Sequence, residues 1–222
     1  MILQNLIIEV TRKCNMKCRH CLRGGAQSVN IDLKHITTLL QQTDEIYQVT
    51  FTGGEPSLNV EALKHFIKEA KRNNVYVGSF YIATNGKRVT LDFLSACLEL
   101  YALCEDKEMC SLQVSNDMYH MEEFRYNDEL LQGLSFYSKK FDDNERYSLI
   151  NEGRAKISGR GEREANEYQS KPETMDDFNE CELYLNALGQ MVYGCNLSYS
   201  SQKNYVICDV KDLKKFYISL ED

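Results

Sequence analysis

Three cysteines stand close together in the run Cys14-Asn15-Met16-Lys17-Cys18-Arg19-His20-Cys21. A loop carrying three thiolates can wrap one face of an inorganic cluster, but it leaves the fourth corner of a cubane without a thiolate. The same thiols could instead hold zinc, with His20 or a distant side chain completing the tetrahedron. Two features separate these readings. Structural zinc loops are usually built from paired C-x2-C knuckles, whereas the spacing here is C-x3-C-x2-C. The run also follows an apolar segment, residues 6–10, through Thr11-Arg12-Lys13. That places it at the C-terminal end of a strand, the edge where parallel α/β folds assemble their sites. A metal with an open position there can bind a substrate or cosubstrate.

The elements that must position this loop alternate short apolar runs with amphipathic helices. Strands are predicted over residues 6–10, 48–52, 79–84 and 110–115, with a weaker fifth over 147–151. Helical periodicity covers about 32–42, 60–72 and 90–104. The buried stripes are Leu33, Ile36, Leu39 and Leu40, then Leu63, Phe66, Ile67 and Ala70, then Phe93, Leu94, Cys97 and Leu98, with Thr90 as N-cap of the last helix. This order implies right-handed βαβ units and a parallel sheet, an α/β fold. Five or six units fit, too few for a closed eightfold barrel of roughly 250 residues. The expectation is a partial (βα)5–6 TIM-like barrel, open at one side, over residues 1–177, ending in a polar loop at about 154–177. Residues 178–222 read as a small appendage: a hairpin from 182–187 and 190–193 turning at Leu188-Gly189, a strand at 205–210, and a final helix capped by Asp212 with Leu213, Phe216 and Tyr217.

At 222 residues, 43% hydrophobic and 27% charged, the composition is that of a globular protein. A net charge of −7 disfavours nucleic acid as a partner. The first residues do not read as a signal peptide, and no apolar run approaches bilayer length. These features point to the cytoplasm, with no membrane partner. Nine cysteines in a reducing compartment point to metal or catalysis, not to a disulfide framework.

The cysteine run resembles the radical SAM superfamily, whose motif is C-x3-C-x2-C after the first strand. Gly53-Gly54-Glu55-Pro56, ending the second predicted strand, stands where that family carries G-G-E-P. A turn before a helix would explain the glycines and Pro56, but not their coincidence with the cysteines. The resemblance covers about residues 6–155. It implies a [4Fe-4S] cluster on Cys14, Cys18 and Cys21, with the open iron taking the amino and carboxylate groups of S-adenosylmethionine. Gly53, Gly54 and Glu55 then meet the methionine amino group, and His20, where the family usually has an aromatic residue, lines the adenine. Thr84-Asn85 resembles a T-N-G that touches the methionine carboxylate. Ser115-Asn116-Asp117 resembles an S-x-D that holds the ribose or sulfonium end, and Arg154 in Gly153-Arg154-Ala155 is placed to pair with a carboxylate. The plain alternatives are loop filler for His20, and turns or surface charges for the others.

Cys181, Cys195 and Cys208 flank the predicted hairpin and resemble a degenerate twitch/SPASM-like appendage with an auxiliary cluster. The spacing around Gly189 is off and a final close cysteine pair is missing, which favours buried free thiols over a second cluster. Cys97, Cys104 and Cys110 read as core. The activity the family implies is reductive cleavage of S-adenosylmethionine, with a flavodoxin or ferredoxin as electron donor. The resulting 5′-deoxyadenosyl radical abstracts hydrogen from a substrate, for which an open barrel suggests a peptide or protein segment. The alternatives are a small metabolite, an iron–sulfur sensor or electron carrier without turnover, and a zinc-binding module.

Overall fold

The computed structural model describes residues 1–125, 129–140, 147–165 and 170–221 of the chain. Strand β1 (Ile2–Thr11) enters the cysteine loop and then helix α1 (Leu33–Leu40). Strand β2 (Glu45–Gly53) leads to α2 (Val60–Arg72), and β3 (Tyr76–Thr84) to α3 (Leu91–Leu103). Strand β4 (Ser111–Ser115) is followed by one turn of helix, α4 (Met118–Met121), and β5 (Tyr137–Lys140) ends the series. These five strands pair in order and in parallel.

Alternation along the strands separates two faces. Register aligns Ile8, Phe51, Ile82 and Leu112, each fully buried. Onto them pack Ile36, Leu39 and Leu40 of α1, Leu63, Phe66 and Ile67 of α2, and Phe93, Ala96, Cys97 and Leu100 of α3. The α3 stripe differs from the predicted one: Leu98 is 48% exposed, and Ala96 and Leu100 face the sheet instead. The other face is polar. Ile7, Thr50, Tyr81 and Ser111 form one row, Glu9 and Thr52 the next, and Ala83, Gln113 and Ser138 another. Tyr81 donates to Gln113 Oε1, and the Ser111 and Ser138 hydroxyls lie 2.8 Å apart. Among the described residues no helix stripe covers these rows, which are half-buried from Thr50 across to Ser138.

The second half adds α5 (Gly153–Ile157), α6 (Met175–Glu180), β6 (Leu183–Leu185), β7 (Gln190–Tyr193), β8 (Val206–Asp209) and α7 (Leu213–Ile218). Strand β6 lies parallel beside β1, on the side away from β2, and β7 and β8 follow antiparallel. The result is one open eight-stranded sheet, mostly parallel, in the order β5-β4-β3-β2-β1-β6-β7-β8. The expected hairpin is β6–β7, turning at Gly189 with φ +83°. Among the described residues no helix is long and apolar enough to cross a membrane.

Three further expectations need correction. The fifth strand is β5, not residues 147–151, where the structure has an isolated bridge from Ile150 to Arg163. The segment Tyr-Ser-Lys-Lys has no apolar run, and Phe136 before it supplies the anchor, packing edge-on at 5.7 Å against Phe80 and tilted at 4.7 Å against Tyr101. The polar stretch at 154–177 is not all loop: it holds α5 and the start of α6, where Thr174 and Asp177 form a capping box. Residues 166–169 of that stretch lie outside the described residues. Asp212 precedes α7 without capping it by its side chain, because a 3-10 turn at Val210–Asp212 holds its backbone at φ −100°, ψ 2°.

Thr90 does cap α3, its hydroxyl accepting from the Phe93 amide at 3.2 Å. Thr90→Ala removes that acceptor and is expected to lower stability by about 1 kcal/mol in urea unfolding. Ser in its place should restore most of the loss.

Candidate functional site

The cysteine loop leaves the C-terminal end of β1 and folds back on itself. Arg12 N donates to Val29 O at 2.8 Å, Gln27 N to Arg12 O at 2.9 Å, and Ile31 N to Val10 O at 3.1 Å. Within it Cys14, Cys18 and Cys21 are all half-buried and near enough to feel one another's charge. Burial raises the Cys14 thiol above its ordinary value, with Glu55 and Cys21 adding to the rise. Burial, then Glu123, Cys21 and Cys14, push the Cys18 thiol up to about 12. Thiols this reluctant to ionise become ligands when a metal centre displaces their protons.

The ends of β2 and β3 frame this loop. Gly53 has φ +146°, and a Cβ there would sit 2.0 Å from Thr11 O; one on Gly54 would sit 2.2 Å from Lys13 O. The close approach that requires glycine is therefore made to the backbone of the cysteine loop. Gly54 N donates to Thr11 O and Glu55 N to Lys13 O, both at 2.8 Å. The Glu55 side chain is buried and turned inward. It accepts from Ser57 N at 3.1 Å, Thr84 Oγ1 at 2.6 Å and Asn85 N at 2.8 Å. Asn85 Nδ2 in turn reaches Asn15 Oδ1 at 2.8 Å and lies 3.9 Å from Cys14 Sγ. The G-G-E-P segment and Thr84-Asn85 thus act as one brace across three strand ends.

The end of β4 makes a second brace. Asp117 is fully buried and caps α4, with Oδ1 accepting from Tyr119 N and His120 N at 3.0 Å. Its Oδ2 pairs with His120 Nδ1 at 2.8 Å and accepts from Tyr147 OH at 3.1 Å. Burial alone would raise this carboxyl, but the hydrogen bond and charge of His120 hold it well below the usual range. Ser115 sits half-buried at the strand's end. His20 packs on Tyr119 at 5.4 Å and edge-on against His120 at 4.5 Å. Burial and then the neighbouring His120 lower its pKa to about 4.

On the far side, Arg154 N donates to Cys21 O at 2.8 Å. The glycine before it has φ +53°, and a Cβ on Gly153 would lie 2.3 Å from Leu22 O. Arg154 Nε, His20 Nδ1 and Asn116 Oδ1 are buried with no hydrogen-bond partner among the described residues. Three thiols and a set of buried polar atoms lacking partners suit a cluster and a polar cosubstrate.

The candidate residues therefore converge, with one group apart. Cys181 and Cys208 belong with the large core and Cys195 with a small cluster of Ile7, Tyr184, Val192 and Leu197. Cys97, Cys104 and Cys110 are buried in the core. Sequence reasoning missed Asn116, His120 and Tyr147. His120 carried a signal, standing three residues after Asp117 on what becomes a helical turn.

Residues 8–134 match the family model described as Radical SAM superfamily. The chain belongs to the radical SAM superfamily. Membership implies a [4Fe-4S] cluster and S-adenosylmethionine. A GTP 3′,8-cyclase of Haemophilus influenzae is 33% identical over 94 residues, 39% of this chain and 27% of that protein. An uncharacterized protein of Methanocaldococcus jannaschii is 28% identical over 74 residues, 32% of this chain and 26% of that protein. The chain thus spans about a quarter of the length of these relatives. Among solved structures, anSMEcpe with bound AdoMet and a Cp18Cys peptide aligns with a TM-score of 0.51 at 11% identity, over 98% of this chain and 80% of that one. That likeness concerns the open-barrel fold alone.

Proposed function

We propose that this chain is an enzyme that cleaves S-adenosylmethionine reductively and abstracts hydrogen from a peptide or protein segment. The reading is carried by the three half-buried thiols on one braced loop, near which Arg154, His20 and Asn116 hold buried polar atoms with no partner among the described residues. Cys14, Cys18 and Cys21 would hold the cluster. Bound there, cluster and cosubstrate would supply one-electron reductive cleavage and hydrogen abstraction, with a reduced flavodoxin or ferredoxin as electron donor. The chain's own part is to bind and orient. Arg154 offers a donor to a carboxylate, His20 and Tyr119 an aromatic wall, and Ser115 and Asn116 polar contacts at the strand end. Gly53, Gly54, Glu55, Thr84 and Asn85 fix the loop that presents the thiols, and Asp117 fixes His120 and Tyr147 beside it.

The polar rows of the sheet support the substrate class. Thr50, Thr52, Ser111, Gln113 and Ser138 offer neutral hydroxyl and amide groups. Glu9, in the next row, is paired with Arg12 at 2.6 Å. Such a floor matches neutral peptide groups better than a polyphosphate. The peptide held by anSMEcpe agrees with this. The second reading, a small metabolite, draws on the stretch shared with the GTP 3′,8-cyclase.

The test is anaerobic cluster reconstitution, reduction in the presence of S-adenosylmethionine, and mass spectrometry of products. The expected outcome is 5′-deoxyadenosine with methionine, formed no faster when GTP is added. A reducible cluster with no cosubstrate turnover would identify an electron carrier instead. Acceleration by GTP would favour the metabolite reading.

A further inference from the structure

We propose that Cys18, His20 and His120 form a mononuclear metal site, suited to zinc, that the chain can fill only when no cluster occupies the loop. Each of the three offers one ligand atom, and these atoms all lie within 4.8 Å of one another. Tetrahedral zinc bonds of about 2.0–2.3 Å set ligand atoms about 3.3–3.6 Å apart, so side-chain shifts of at most about 1.5 Å would close the site. Among the described residues this is the group of three that meets the 4.8 Å spacing; the three thiols of the loop do not. This mixed set gathers its donor atoms for one ion.

Two further observations point to a ligand. His20 is 8% exposed, and its Nδ1 is buried with no partner among the described residues. His120 Nδ1 is taken by Asp117 Oδ2 at 2.8 Å, so Nε2 is the ring nitrogen that would bind a metal. A carboxylate orienting an imidazole in this way is the arrangement that supports metal-binding histidines. Asp117 is itself held by two backbone amides and Tyr147 OH, so the orientation is fixed from behind. The charge balance also suits a cation, since the Glu123 carboxylate acts on Cys18. One thiolate and two imidazoles form a donor set that zinc accepts, with a fourth position left for water. Cys18 cannot serve this ion and a cluster corner together, so the two metal centres exclude each other.

The test uses the full chain stripped of metal, titrated anaerobically with Zn2+ and with Co2+ as a spectroscopic probe. One Zn2+ per chain is expected, and the Co2+ form should show a thiolate-to-cobalt charge-transfer band. Cys18→Ser, His20→Ala and His120→Ala should each abolish the band, while Cys14→Ser and Cys21→Ser should keep it. Asp117→Asn should weaken Zn2+ binding about 10–100-fold without changing the ligand set. Zn2+-loaded chain should refuse iron and sulfide until a chelator removes the zinc. Circular dichroism of each variant separates lost binding from lost folding, and Cys14→Ser and Cys21→Ser report even if a histidine variant unfolds. Loss of zinc on Cys14→Ser or Cys21→Ser would overturn the proposal, as would a full cluster formed with zinc still bound. A midpoint potential altered by His120→Ala in a chain that binds no zinc would overturn it too, making His120 a tuner of the cluster. None of these readouts needs S-adenosylmethionine turnover, so they stand or fall apart from the proposed activity.

Discussion

Serine in place of Cys14, Cys18 or Cys21 is expected to abolish both the iron–sulfur absorbance of the reconstituted chain and its formation of 5′-deoxyadenosine. The loop has three thiols for a cubane that takes four ligands, so one loss leaves two protein corners and no vacant site beside a stable one. Second-row softness matters as well: a serine hydroxyl at neutral pH is no substitute for a thiolate on iron. The measurement is iron and sulfide content together with product analysis after anaerobic reduction. Retention of a full cluster in any of the three variants would refute the assignment of that residue. The same replacement at Cys181, Cys195 and Cys208 provides the contrast. Those thiols sit in two different apolar clusters, and the expected result is unchanged iron content.

Glu9→Ala is expected to destabilise the fold by about 3–5 kcal/mol, the effect of stripping one partner from a buried ion pair. Glu9 is fully buried on the polar face of β1. Its Oε1 accepts from Arg12 Nε at 2.6 Å and Ala187 N at 3.0 Å, and its Oε2 from Tyr184 OH at 2.7 Å and Gln202 Nε2 at 2.8 Å. Arg12, only 4% exposed, also donates to Gln202 Oε1 at 2.6 Å and stacks over Tyr199 at 4.6 Å. Removing the carboxylate leaves a guanidinium charge and three donors without it. Arg12 stands two residues before Cys14, so weaker cluster retention should accompany the loss. Urea unfolding at constant m gives the number, and Glu9→Gln should lie between the variant and the parent. The exposed pair Arg160–Glu122, at 2.8 Å, is a built-in comparison: breaking it should change stability by no more than about 1 kcal/mol. A Glu9→Ala loss equally small would show that the network contributes no more than a surface pair.

Local chemistry was the part of this protein legible in one dimension. The cysteine spacing, the G-G-E-P segment and the alternation of strand with helix could be read because each depends on neighbours in the chain. Helix α2 begins and ends where its apolar period does, and Thr90 caps α3 because its hydroxyl reaches an amide three residues on. The fifth strand escaped because β5 is an edge strand of Tyr-Ser-Lys-Lys, held by pairing with β4 and by Phe136 packing on Phe80. Neither source of stability is visible in its own residues.

The sequence by itself determined which side chains could take part: three thiols at one spacing, a glycine pair, and acidic and basic groups at strand ends. Only the tertiary structure decided what those groups face. Gly53 and Gly54 press on the backbone of the cysteine loop, Glu55 and Asp117 are engaged by internal donors, and His20 meets His120 from a hundred residues away. The placement of β6 beside β1, which brings Ala187 and Gln202 onto Glu9, was likewise decided in space. Covalent spacing constrains atoms a few residues apart, whereas partners across a sheet are chosen by burial and by the need of every buried polar group for a counterpart.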